Sequence, residues 1–156
     1  MMGEFTVALF GHREIDDLSR LEALLSPLVR RMIAEHEYVT FLIGRHGEFD
    51  EFAASVIKRT RRGLADNSEL VLVLPYTVAN IESYDAYYDR ILIPEEMSGT
   101  HPKGVIEAKN RWMVEQADLV VAYVEHPSGG AYRAMKYAER KGKPLLRLPH
   151  DADPEV

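Results

Sequence analysis

Short apolar runs alternate with stretches whose apolar residues recur every three or four positions, and the alternation continues along the whole chain. Strand-length runs separated by amphipathic helices need crossover connections. The pattern therefore specifies an α/β architecture: a three-layer fold with a mainly parallel, doubly wound sheet between helices. The 156 residues make the length of one such domain. With 46% hydrophobic residues, a chain this long can bury roughly 70% of its unfolded surface and needs no staple.

Thr6-Val7-Ala8-Leu9-Phe10 reads as the first strand, ended by Gly11. From Asp16 onward Leu18, Leu21, Leu24, Leu25, Leu28, Val29, Met32 and Ile33 fall on one stripe of a long helix, with Pro27 as a candidate kink. Tyr38 to Ile43 is a second strand, and Phe49, Phe52, Ala53, Val56 and Ile57 mark the inner face of a second helix. Its cationic end, Lys58, Arg59, Arg61 and Arg62, suits the negative end of a helix dipole. Leu70 to Leu74 is continuously apolar, as a strand covered on both faces must be. Residues 76–104 are the least legible and admit a short helix at Ile81 to Tyr88 and a short strand at Ile91 to Ile93. Val105 to Gln116 reads as a helix, Leu119 to Tyr123 as a strand, the residues after Gly130 as a helix to about Lys141, and Pro144 to Leu148 as a last strand.

No repeat or Gly/Ser linker divides the chain, so residues 1–150 are expected to be one domain and 151–156 a disordered acidic tail. For the strands beginning near Thr6, Tyr38, Leu70, Leu119 and Pro144, numbered in chain order, the expected order is 3-2-1-4-5, because only then do three glycine loops meet.

Composition narrows the function classes. Nineteen Lys and Arg face 25 Asp and Glu, a formal charge of −6, which argues against extended non-specific contact with nucleic acid or anionic membrane while leaving room for a local basic patch. Cysteine is absent, which excludes disulfides, thiolate-held metals and cysteine nucleophiles. No leader-like N-terminus and no membrane-length apolar run occurs, so a cytoplasmic protein is expected. There is no G-x-G-x-x-G after the first strand, no P-loop, no H-E-x-x-H and no G-x-S-x-G, so neither a cofactor nor a metal is expected.

In an open parallel sheet ligands bind outside the carboxyl ends of the strands. Three loops there have the right chemistry: Gly11-His12-Arg13, Gly44-Arg45-His46-Gly47-Glu48-Phe49-Asp50 and Ser128-Gly129-Gly130-Ala131. Glycine lets backbone N–H groups approach a phosphate, a following helix adds its dipole, and Arg13 and Arg45 supply charged donors. Arg133 and Lys136 add cations to the third loop. Glu48 and Asp50 can act as acid–base groups or simply cap the helix they open, and both uses stay open. Trp112, flanked by Val105, Ile106, Met113 and Val114, reads as a packing residue rather than a stacking platform. Tyr84, Tyr87 and Tyr88 either cover the sheet edge or form an interface with another protein.

The ordered set Gly11-His12-Arg13, Ile43 to Asp50, Lys109-Asn110-Arg111-Trp112-Met113-Val114, Ala117 to Tyr123 and Ser128-Gly129-Gly130 resembles the SLOG superfamily. It is most similar to the small YpsA-like branch, related to the LOG phosphoribohydrolases and the DprA/Smf proteins. The resemblance implies a Rossmann-like fold that binds a nucleotide or nucleotide-derived ligand, such as ADP-ribose or a nucleoside monophosphate. By that resemblance Gly11, His12, Arg13, Gly44, Arg45, Gly47, Lys109, Ser128, Gly129, Gly130 and Arg133 would hold the ligand.

LOG enzymes carry an Arg four residues before a Met, where this chain has Lys109 with Arg111 nearby. Their P-G-G-x-G-T-x-x-E motif is replaced by Pro127-Ser128-Gly129-Gly130-Ala131-Tyr132-Arg133-Ala134-Met135-Lys136, without the threonine or the glutamate. Ligand binding is therefore the leading expectation. The alternatives are an N-glycosidase acting on nucleoside 5'-monophosphates through Glu48, Asp50 and Arg111, and a protein-interaction domain. The resemblance, with the long apolar stripes of the first and penultimate helices, also implies a homo-oligomer.

Overall fold

The computed structural model describes residues 3–151. Six strands alternate with helices: β1 (Glu4–Gly11), α1 (Leu18–Glu35), β2 (Tyr38–Ile43), α2 (Glu48–Arg61), β3 (Ser68–Val73), α3 (Ile81–Tyr87), β4 (Arg90–Leu92), α4 (Val105–Gln116), β5 (Leu119–Tyr123), α5 (Gly130–Arg140) and β6 (Leu145–Leu148). All strand pairs are parallel, in the order β4-β3-β2-β1-β5-β6. The five expected strands thus stand in the expected order, and the short strand of the illegible segment joins as an edge. A 3₁₀ turn at Glu95–Met97 was not anticipated.

The central strand shows why the sheet needs helices on both faces. Val7 and Leu9 of β1 join one apolar cluster with Leu21, Leu25 and Val29 of α1 and Ala53 and Ile57 of α2. Ala8 and Phe10, pointing the other way, join a second cluster with Met113 and Val114 of α4 and Ala134 and Ala138 of α5. Alternation along one extended strand therefore feeds two cores. Asp17 caps helix α1, its side chain accepting from the Arg20 N–H at 3.0 Å. It then runs through Pro27.

Trp112 packs against the second cluster and donates through Nε1 to Glu96 at 3.2 Å. The tyrosines lie along the β3–β4 edge. Tyr88 is buried, Tyr87 meets it edge-on at 5.0 Å, and the Lys58 ammonium sits 3.7 Å from the Tyr87 ring centre. Of the expected acidic tail, residues 152–156 lie outside the described residues, and Asp151 accepts from the Arg147 N–H at 2.9 Å. Among the described residues no helix is long and apolar enough to cross a membrane.

Candidate functional site: a cationic crevice at the carboxyl edge

The carboxyl ends of the central strands open onto a cavity of about 850 Å³. It lies where the winding reverses, since β1 has β2 on one side and β5 on the other. Open α/β sheets hold their ligands at that place.

Two of the expected phosphate-binding glycines are required by packing. A Cβ on Gly11 would fall 2.0 Å from the Phe49 ring, so its absence lets α2 seat a fully buried Phe49 against the end of β1. A Cβ on Gly47 would stand 2.5 Å from the Arg13 Cα. That close approach lets the Glu48 N–H donate to the Arg13 carbonyl at 2.9 Å. The Glu48 carboxylate is engaged too, accepting from the Ile15 N–H at 2.9 Å.

His12 ties the loop after β1 to the loop after β5. Its Nε2 accepts from the Glu125 N–H at 2.9 Å and the His126 N–H at 3.4 Å, and its ring stacks on His126 at 3.7 Å. Burial, with His126 beside it, holds its pKa below the ordinary histidine value, so the ring is neutral with its proton on Nδ1. Ser128 Oγ is likewise engaged, 3.0 Å from His126 Nδ1.

The floor is built from groups that come from opposite layers. Lys109 of α4 is 3% exposed, and among the described residues its ammonium has no ion pair or hydrogen bond. Burial lowers its pKa against the pull of Asp50. Asp50 of α2 is pushed the other way, its carboxyl raised by burial against the pull of Lys109, while Oδ2 accepts from the His46 N–H at 2.9 Å. His46 is held down to about 4 by burial and by the charges of Lys109, Arg45 and Arg13. Its Nε2 is buried without a partner among the described residues. Gly44 leaves this floor open, since a Cβ there would stand 2.6 Å from Lys109 Nζ and 3.1 Å from Asp50 Oδ2.

The far wall is the start of α5. Gly129 has φ 94°, a conformation that favours glycine, and it turns the chain into the helix. A Cβ on Gly130 would meet only Asn110 Nδ2 at 3.7 Å and an Arg133 nitrogen at 4.0 Å, so the space before it is free. Arg133 and Arg111 share Glu107 at 3.4 and 3.8 Å on the exposed rim, where such pairs contribute little.

The fold thus brings together Gly11, His12, Arg13, Gly44, Asp50, Lys109, Arg111, Ser128, Gly129, Gly130 and Arg133 in the cavity wall, and leaves Arg45, Gly47 and Glu48 out of it. Arg45 lies over the Tyr84 ring instead, 5.8 Å from its centre. His46, Lys103, Asn110, His126 and Arg140 also line the cavity and were not singled out in the sequence. One signal was available: Arg133, Lys136 and Arg140 are spaced three and four apart, which puts them on one face of α5. Seven lysines and arginines line the cavity against three acidic residues, in a chain whose acidic residues outnumber its basic ones 25 to 19. Among the described residues no group of three metal-ligating side chains comes together.

No protein-family model and no curated protein matches the sequence. Solved structures do. DNA processing protein A from Helicobacter pylori, described for its single-stranded DNA binding mode, aligns with 93% of this chain and 65% of its own, just under two thirds, at 16% identity and a TM-score of 0.63. The molybdenum cofactor carrier protein from Chlamydomonas reinhardtii aligns with 97% of this chain and 79% of its own, at 14% identity and a TM-score of 0.59. The fold shared with these structures is a Rossmann-like α/β architecture. At these identities the likeness is one of architecture, and the crevice has to be read from its own residues.

Proposed function

We propose that this SLOG-type domain binds a nucleotide or nucleotide-derived ligand, such as ADP-ribose or a nucleoside monophosphate, in the crevice at the carboxyl edge of the sheet. The observation that carries the reading is the concentration of cations around one cavity of a net acidic chain, with a buried, unpaired Lys109 in its floor. A buried ammonium without a partner among the described residues is costly, and an oxygen of the bound ligand supplies the missing partner. The free space before Gly130 at the start of α5 suits phosphate oxygens, and Arg13 lines the same cavity. The carrier protein among the structural neighbours supports a small-molecule occupant, and DNA processing protein A makes a single strand the competing one.

A thermal-shift series tests this. ADP-ribose or AMP at ~100 times its dissociation constant adds about 2.7 kcal/mol of stability, a rise of roughly 5–10 °C for a chain of this size. Gly130→Asp should keep the fold, since its Cβ meets nothing closer than 3.7 Å, and lose the shift, because a carboxylate would occupy and repel the phosphate position. Arg13→Ala should weaken binding by about 1.5–3 kcal/mol, roughly ten- to a hundredfold. An equal shift of wild type and Gly130→Asp would exclude this site. Binding of a poly-dT oligonucleotide without any mononucleotide response would favour a single strand instead.

A second reading draws on one observation: burial raises the Asp50 carboxyl within the cavity wall, as a general acid requires. It makes the protein an N-glycosidase for nucleoside 5'-monophosphates, with Arg13, Arg111 and the Gly129-Gly130 backbone holding phosphate. Glu48, committed to Ile15, has no part in it. Release of free base from a panel of monophosphates, lost in Asp50→Asn, is its test.

A further inference from the structure

Lys109 and Asp50 form an unusual pair. They are anchored in different layers, Lys109 on the α4 side of the sheet and Asp50 on the α2 side, and both reach the edge at Gly44. Opposite charges this near in a low-dielectric setting attract strongly, yet they form no direct ion pair, and Asp50 Oδ2 is held by the His46 N–H. Their separation is bounded from above, because both atoms lie near one point, 2.6 and 3.1 Å from where a Gly44 Cβ would be. The span can be no longer than those two distances laid end to end. One oxygen hydrogen-bonded at both ends covers such a gap, at roughly 2.8 Å to each side.

The chemistry of the two ends selects what fills it. An ammonium only donates and a carboxylate only accepts, so the bridging group must accept from one and donate to the other. A hydroxyl does both. A phosphate oxygen would face the Asp50 carboxylate with like charge, and an ammonium would face Lys109. All three residues line the cavity, so the gap opens toward a bound ligand. The phosphate has its own place, at Gly129, Gly130 and Arg13.

We propose that the gap between Asp50 and Lys109 is a hydroxyl subsite, occupied by a sugar hydroxyl of the ligand, and that it makes the crevice selective for ribosyl compounds over their deoxy counterparts. The proposal rests on the nucleotide reading above, and it adds a specificity determinant that reading does not contain. Asp50 serves here as a positioning group, whether or not any reaction follows.

Calorimetric titration of the protein with AMP and with 2',3'-dideoxy-AMP tests it, since the two differ only in the sugar hydroxyls. Wild type should bind AMP at least tenfold more tightly, the effect of one hydroxyl paired with charged groups. Asp50→Ala should reduce that preference to about twofold or less. Gly44→Ala, whose methyl intrudes on the gap without removing either charge, should do the same, and it serves if Asp50→Ala fails to fold by circular dichroism. Equal binding of the two nucleotides by wild type overturns the hydroxyl subsite and leaves the nucleotide reading standing. Binding of neither overturns both. A preference that persists unchanged in Asp50→Ala and Gly44→Ala places the hydroxyl elsewhere and also overturns the proposal.

Discussion

His12 and His46 are both held neutral, and neutrality makes stability depend on pH. Each has a folded pKa below its unfolded value of 6.5, His46 at about 4. Below 6.5 the unfolded chain therefore binds more protons than the folded one, so stability falls as the pH drops through this window and levels off beneath the lowered values. The urea midpoint should decrease from pH 7 to pH 4, and His46→Gln should show a shallower decrease; parallel curves would show that His46 titrates normally. For His12 the cost of protonation is structural as well, because Nε2 would cease to accept from Glu125 and His126. Gly129 carries a different residue-scale constraint. Its φ of 94° lies where a Cβ is strained, and Gly129→Ala should lose about 1–3 kcal/mol in urea denaturation.

At the scale of elements, α2 meets β1 through a single missing side chain. Gly11→Ala would drive a methyl into the Phe49 ring, and overpacking of this kind costs about 1–3 kcal/mol. Adding Phe49→Leu should recover part of the loss by relieving the clash, whereas additive losses in guanidinium denaturation would mean that the two positions do not touch. The sheet itself was legible, since its strands are continuously apolar and the helices flanking them carry stripes. The segment 76–104 was legible only in outline: the short helix and strand it admitted are α3 and β4, but α3 buries no residue among those described, so no periodic signal fixes it. The site was legible only in part. Glycines after strands marked the right edge, but a sequence does not show what faces a glycine, and Gly11 and Gly47 proved to accommodate Phe49 and Arg13. The floor left no local trace, because Lys109 and Asp50 are 59 positions apart and meet only through the topology of the sheet.

The whole molecule combines a negative net charge with a cationic crevice, an arrangement that guides a small anion to one place and disfavours long polyanions elsewhere on the surface. Binding should weaken as salt screens the rim cations, while the contribution of the buried Lys109 persists. The oligomeric state is a separate matter. The apolar stripe of α1 is used within the chain, with Leu21, Leu25, Leu28 and Val29 buried against its own sheet. The expectation of a homo-oligomer therefore rests on the SLOG resemblance; light scattering should give a multiple of 17.8 kDa, and a monomer mass at high concentration would refute it. The location and chemistry of the crevice can be read in a crystal soaked with ADP-ribose. The electron density should show a phosphate within hydrogen-bonding distance of the Gly129-Gly130 backbone and Arg13, with a ribose hydroxyl between Lys109 and Asp50. An ordered ligand anywhere else, or an empty crevice at a concentration that saturates the protein in solution, would contradict it.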